Sequence, residues 1–272
     1  MKTSLLATIV LLAANLPAQD PEFGTPVSTT LTTIRKDPEA FRNVKVRFTA
    51  QFASLGKLSN PFFTRFTPTD YSNLHVWADE QPIWQRDAYE DLFGNLFYPK
   101  TGKQLQEVFE LRMYQRMEIT AIVRNTFQNA PWIEIQDFAV VGDQVDAAVL
   151  AHMYRGEQFM AERRWQRAIA ELTMAPGAGV PPEVQRAAYK NLGICYLRIG
   201  ESNQAVGCLR TAAGLSTNFD HEIEHLLATA ETRPSRELDR VVDHHGLKDF
   251  ERPMWEAFDD GGQEPRRIRT MQ

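Results

Sequence analysis

Between Ala187 and Leu215, small and apolar residues recur at three- and four-residue spacing in two runs divided by Gly200. That is the period of a helix with one buried face. Tyr189, Leu192, Gly193 and Tyr196 share one face of the first run, and Ala205, Leu209 and Ala212 share one face of the second. Gly200 stands where a helix stops and the chain reverses. Gly193 and Ala205 carry almost no side-chain bulk, so two antiparallel helices can approach closely there, with larger residues filling the seam on either side. Such a hairpin cannot bury its apolar face alone. It needs neighbours, and that requirement governs how the rest of the chain is read.

The order aromatic, Leu-Gly, Tyr, loop Gly, then Ala, a large apolar residue and Ala resembles a tetratricopeptide repeat. Here it is Tyr189, Leu192-Gly193, Tyr196, Gly200, Ala205, Leu209 and Ala212, with Thr217 where the family has a terminal proline. A more degenerate copy lies upstream in Gly156, Phe159, Ala168, Leu172 and Ala175, where His152 and Arg155 replace the aromatic and the leucine. The two copies are about 37 residues apart, against a family period of ~34, and the loop Pro176–Pro182 takes up the excess. Ile223, Leu226, Leu227 and Ala230 keep the apolar spacing for one more helix, which would cap the stack. Repeats are expected at 148–181 and 186–219, with a capping helix at 220–231.

Upstream of residue 142 the period changes to two. Val44–Leu55 alternates, with Val46, Phe48, Ala50 and Phe52 on one side and Lys45, Arg47, Thr49 and Gln51 on the other. Phe62–Phe66 and Leu74–Trp77 read as further strands. Ile83–Phe93 reads as a helix, Tyr98–Gly102 as its break, and Leu105–Arg112 as a second helix. Met117–Val123 and Trp132–Val141 restore alternation. Five strands with a helical insertion between the third and fourth form the layout of an OB-type barrel. The pattern resembles the small OB-like domains of exported bacterial proteins and covers residues 34–142. Gly142-Asp143-Gln144 reads as the linker to the helical domain at 145–231. The expected fold class is therefore α+β and multidomain, an OB-like barrel followed by a tetratricopeptide-like helical array.

The termini add a destination. Lys2, the short apolar run Leu5–Ala14 and Ala18 before Gln19 predict a secretory signal peptide cut after Ala18. The apolar run is shorter than the ~20 residues that a transmembrane helix needs, and no later stretch is long and apolar enough to cross a bilayer. Residues 19–33, rich in Pro, Thr and acid, read as an exposed leader. Residues 232–272 read as a mostly irregular tail that ends in the basic run Arg266-Arg267-Ile268-Arg269. The mature chain is expected in the periplasm or outside the cell. A net charge of −5 offers no basic surplus for nucleic acid or anionic lipid.

Little in the chain points to catalysis. His221-Glu222-Ile223-Glu224-His225 matches the zinc-protease pattern HExxH, whose i, i+4 histidines share a helical face beside an acid able to activate water. Against that reading, Glu224 charges a variable position, and the register buries Ile223, Leu226 and Leu227 while turning the histidines outward. A third ligand, whether His244, His245 or Glu231, is not singled out. Cys195 and Cys208 are read as small packing residues on different faces of the hairpin. Trp77, Trp84 and Trp132 are read as packing aromatics rather than a stacking platform. No catalytic residue, metal or cofactor is expected.

In tetratricopeptide families the inner face of the first helices binds peptide segments or partner surfaces. By register, Met153, Glu157 and Met160 of the first copy and Lys190, Ile194 and Leu197 of the second would line that face, extended by His221 and Glu224. The resemblance implies a non-catalytic interaction or scaffold protein that takes an extended apolar or mixed segment of an envelope protein. The alternatives are a zinc hydrolase built on His221, Glu222 and His225, or an OB domain that binds a carbohydrate or an oligonucleotide.

Overall fold

Alternation makes the first long strand. In β2 (Lys45–Gly56), Val46, Phe48, Ala50 and Phe52 point inward and are buried, as a strand with one covered face requires. The computed structural model describes residues 23–57, 65–216 and 219–232. The expected signal segment, most of the expected strand Phe62–Phe66 and the C-terminal tail lie outside those residues. The remaining strands are β1 (Val27–Ser28), β3 (Tyr71–Ala78), β4 (Phe93–Pro99), β5 (Arg116–Phe127) and β6 (Ala130–Val140).

Strands β2 to β6 close a five-stranded barrel in the order β2-β3-β4-β6-β5, and β5 returns to pair with β2. The first half of β2 pairs with β5 and its second half with β3, so one bent strand serves both neighbours. The register shift between Phe52 and Ser54 lies at Ala53, which packs with the helices rather than inside the barrel. A bulge re-aims a side chain in this way. All ladders of the closed barrel are antiparallel except the short β4–β6 contact, which is parallel. The β5–β6 hairpin turns on Gln128 and Asn129, both at positive φ, as a tight two-residue turn demands.

Ile83–Phe93 is not one helix. Only α2 (Arg86–Glu90) is helical, and Phe93–Pro99 is the third barrel strand. The helical insertion of the barrel is α3 (Leu105–Glu110), which ends before Arg112. The strand count and the position of the insertion are as expected, but the third strand lies about 20 residues later than Leu74–Trp77. Nor is the whole of 19–33 an exposed leader. β1 pairs with β2, and α1 (Leu31–Lys36), capped by Thr30, drives Leu31 and Ile34 into the barrel core at 0% exposure.

From Val145 the chain is helical: α4 (Ala147–Ala161), α5 (Trp165–Thr173), α6 (Pro182–Arg198), α7 (Ser202–Gly214) and α8 (His221–Thr232). Each packs on the next in turn. The 37-residue shift relates the pairs α4–α5 and α6–α7 atom for atom in their tight spots. A Cβ on Gly156 would meet Leu172 at 2.6 Å, and one on Gly193 would meet Leu209 at 2.5 Å. Ala168, Leu172 and Ala175 are as deeply buried as Ala205, Leu209 and Ala212. Even the turns correspond: Gly200 has φ +84, and Arg163, 37 residues earlier, has φ +58. Glycine occupies that left-handed region freely and arginine at a cost. Arg163→Gly is therefore expected to stabilise the chain by about 0.5–1 kcal/mol, read as a higher urea midpoint at unchanged slope.

Candidate functional site

The inner face of the helices is already occupied. The connection from β3 to β4 carries Ile83 and Trp84 across it, and these pack with Trp77, Tyr89 and the helical residues in one continuous core. Met153, Met160, Ile194 and Leu197, expected to line a peptide groove, are between 0% and 4% exposed. Glu157 is 7% exposed. It accepts hydrogen bonds from Trp84 Nε1 at 2.8 Å, Gln85 Nε2 at 2.9 Å and Asn191 Nδ2 at 3.1 Å. Donors converging on a carboxylate at this depth replace the water it has lost. The Glu157 carboxylate thus ties the barrel, α4 and α6 together.

A second clamp lies beside it. Arg116, at the start of β5, forks onto both oxygens of Asp79 at 2.6 Å each and also bonds Asp143 of the 142–144 linker. The hydrogen bond to Asp79 and the charges of both acids raise the Arg116 pKa against the opposing effect of burial. Bidentate geometry of this kind fixes orientation as well as charge. Gln144 N–H also bonds Gly179 O at 2.9 Å, so the linker is held at both ends.

What remains open is a cleft of about 360 Å³ where the two halves meet. The barrel contributes the turn Asp79–Pro82 with Trp84 and Gln85. The helices contribute Glu157 and Met160 from α4, and Glu183, Arg186, Lys190 and Asn191 from α6. Of the eight residues expected to form the groove, Glu157, Met160 and Lys190 line this cleft. Met153, Ile194 and Leu197 lie in the core instead, and His221 and Glu224 are exposed on α8. Lys190 bonds Glu222 at 2.9 Å, and Arg186 bonds Glu183 and Asp220. Those contacts hold the start of α8 against the cleft wall. The barrel's share of the cleft was not visible in the sequence, because Asp79–Gln85 lies some 70 residues from α4 and carries no motif.

His152 and Arg155 of α4, which differ most from the matching positions of α6, are engaged by α5. His152 and Arg155 both bond Glu171 of α5, at 2.8 and 3.0 Å. The residues 37 positions later are Tyr189, Leu192 and Cys208, so a polar triad stands in α4–α5 where α6–α7 carries less polar groups that pack in the core. Burial raises the Glu171 pKa, but the hydrogen bonds from His152 and Arg155 and their charges hold it below the ordinary value. A carboxylate with a depressed folded pKa contributes stability that is full above its unfolded pKa and is lost as pH falls through the folded one. Glu171→Gln is expected to be less stable than the parent at neutral pH. The gap should narrow below about pH 4, as followed by urea melts across pH.

His221 and His225 are exposed on α8, Glu222 is engaged by Lys190 and Glu231 by Arg210, and His244 and His245 lie outside the described residues. Among the described residues no group of three His, Cys, Asp or Glu stands where it could hold a metal ion. Cys195 and Cys208 are free thiols, and burial pushes the Cys195 thiol up to about 12. Trp77 and Trp84 are buried at the junction. Trp132 is half-buried on the outer face of the barrel, 5.4 Å from Phe97, which stacks on Phe66 at 4.1 Å. No described helix is long and apolar enough to cross a membrane. No family model matches the sequence, and no curated protein matches it closely.

Proposed function

We propose that this chain is an exported, non-catalytic interaction protein, an OB-type barrel fused to a tetratricopeptide-like array, that takes a segment of a partner protein in the cleft between them. The barrel assignment rests on the strand order, the parallel β4–β6 contact and the insertion before β5. The array assignment rests on the 37-residue correspondence of close helix contacts and turns. The observation that carries the functional reading is the cleft itself. Ile83 and Trp84 pack in one core with the inner face of the helices, and a concavity lies beside them. A cleft at a domain junction with convergent polar groups is where ligand sites concentrate.

The test is photo-crosslinking in the native envelope. A crosslinking side chain at Ala187, on the cleft wall, is expected to capture a partner, and one at Gln166, exposed on α5, is not. Equal capture from both sites, or capture only from Gln166, would remove the cleft from the account. A second reading, a carbohydrate or oligonucleotide bound on the barrel, is supported by the partly exposed Trp132 over Phe97. Loss of ligand-array binding in Trp132→Ala would favour it over the peptide reading.

A further inference from the structure

The cleft carries a charge imbalance that selects its occupant. Its walls hold the carboxylates of Asp79, Glu80, Glu157 and Glu183 against the cations Arg186 and Lys190. The next ring adds Asp143, Asp220 and Glu222 against Arg116, and the adjoining depression that shares Glu80 and Pro82 adds Asp91 against Arg35 and Lys36, so the acids still outnumber the cations. Arg186 is committed to Glu183 and Asp220, Lys190 to Glu222, Arg116 to Asp79 and Asp143, and Arg35 to Asp91. Glu80 is exposed at the rim and has no hydrogen bond or ion pair among the described residues. A concave surface with this surplus focuses a negative potential and draws in cations. Between the acids, Pro82 and Ala187 are only half-buried, leaving small apolar ledges. The walls therefore suit a short segment that mixes guanidinium groups with an aliphatic side chain. Arginine fits best, because its planar fork matches carboxylates in pairs.

This chain contains such a segment. Resting on the reading of the cleft as a peptide site, we propose that Arg266-Arg267-Ile268-Arg269 docks there in cis and competes with the partner segment. The covalent path permits it. Asp220 and Glu222 are bonded to cleft residues, so α8 starts at the cleft and ends ~18 Å further on. From Thr232 to Arg266 there are 34 residues, with a maximum span of ~110 Å. The chain can therefore return to the cleft with length to spare. A tethered segment acts at an effective concentration on the order of millimolar, so weak intrinsic affinity suffices to fill the site. Partner binding then requires displacement of the tail, and the cleft is guarded until a better-matched segment arrives.

Hydrogen exchange on the full chain tests this. The parent is compared with the full-length variant Arg266→Gln/Arg267→Gln/Arg269→Gln, and amides in 79–85 and 183–191 are followed. Docking predicts that these amides exchange faster in the variant, on the order of tenfold. A synthetic peptide of residues 263–272 should restore protection to the variant, and the same peptide with the three arginines replaced by glutamine should not. Glu80→Lys in the otherwise unchanged chain should reproduce the loss, and its exposed position leaves the fold intact. Identical exchange in parent and triple variant, with no protection from the peptide, overturns the proposal. Protection that grows with protein concentration assigns the tail to a second copy and also overturns docking in cis. If tail docking fails while crosslinking from Ala187 still captures a partner, only the tail assignment falls and the cleft remains a partner site.

Discussion

Arg116→Ala is expected to destabilise the chain by about 3–5 kcal/mol. The guanidinium is 16% exposed and faces Asp79 at 14% and Asp143 at 29%. Its loss leaves two shielded carboxylates with no cation between them. Removing one partner of a buried pair costs more than the pair contributes, because the remaining charges stay desolvated. The same change frees the linker from β5, so the loss is not confined to the barrel. Asp79→Asn added to Arg116→Ala removes one of the stranded charges and should recover part of the deficit. Urea unfolding of the four proteins gives the cycle. A deficit below about 1 kcal/mol, the range of exposed ion pairs, would mean that the clamp is solvated and the junction loose.

The second large effect separates two helical glycines that the sequence treats alike. Glycine inside a helix normally costs about 1 kcal/mol relative to alanine. Gly207, on the outside of α7, has nothing within 4 Å of the position of an added Cβ, so Gly207→Ala is expected to stabilise by about 0.5–1 kcal/mol. Gly193 sits where α6 meets α7, and its Cβ would stand 2.5 Å from Leu209 Cγ and 2.7 Å from Cδ2. That overlap falls at the branch of a fully buried leucine rather than at a flexible end, so the helices must separate. Overpacking costs about 1–3 kcal/mol, which outweighs the propensity gain. Gly193→Ala should therefore lower stability by about 1–2 kcal/mol net. Gly193→Ala with Leu209→Ala should remove the clash while adding a cavity cost, and so show strong non-additivity. Stabilisation by Gly193→Ala alone would show that the seam is not closely packed.

The legible parts of the fold share one property, a single buried face. Alternation in Lys45–Gly56, Arg116–Phe127 and Ala130–Val140 marked three barrel strands, because each strand faces the core on one side. Phe93–Pro99 escaped because it is covered on both sides. Leu96 points into the barrel, Phe97 stacks under Phe66 on the outside, and Tyr98 is buried as well, so no period of two survives. Leu31 and Ile34 escaped because a helix of 6 residues is too short to show a period. The groove residues illustrate a different limit. Register turns Met153, Glu157, Met160, Ile194 and Leu197 to one side, yet it does not say what lies opposite. Trp84 and Ile83 reach that face from a connection distant in the sequence, and no local pattern announces the pairing. The polar triad did leave a signal. His152 and Arg155 depart from the second copy together with Glu171, which stands where that copy has Cys208, and a joint change at three positions that face one another implies contact.

The cleft exists only while the barrel and the helices form one body, because it needs both walls. Scanning calorimetry of the chain tests this most directly. One transition is expected, with equal calorimetric and van't Hoff enthalpies, and Arg116→Ala and Gly193→Ala should each shift the whole of it to lower temperature although one lies in the barrel and the other in the helices. Two resolved transitions, with Arg116→Ala moving only one and Gly193→Ala only the other, would mean that the halves fold independently and that the cleft is not a built site.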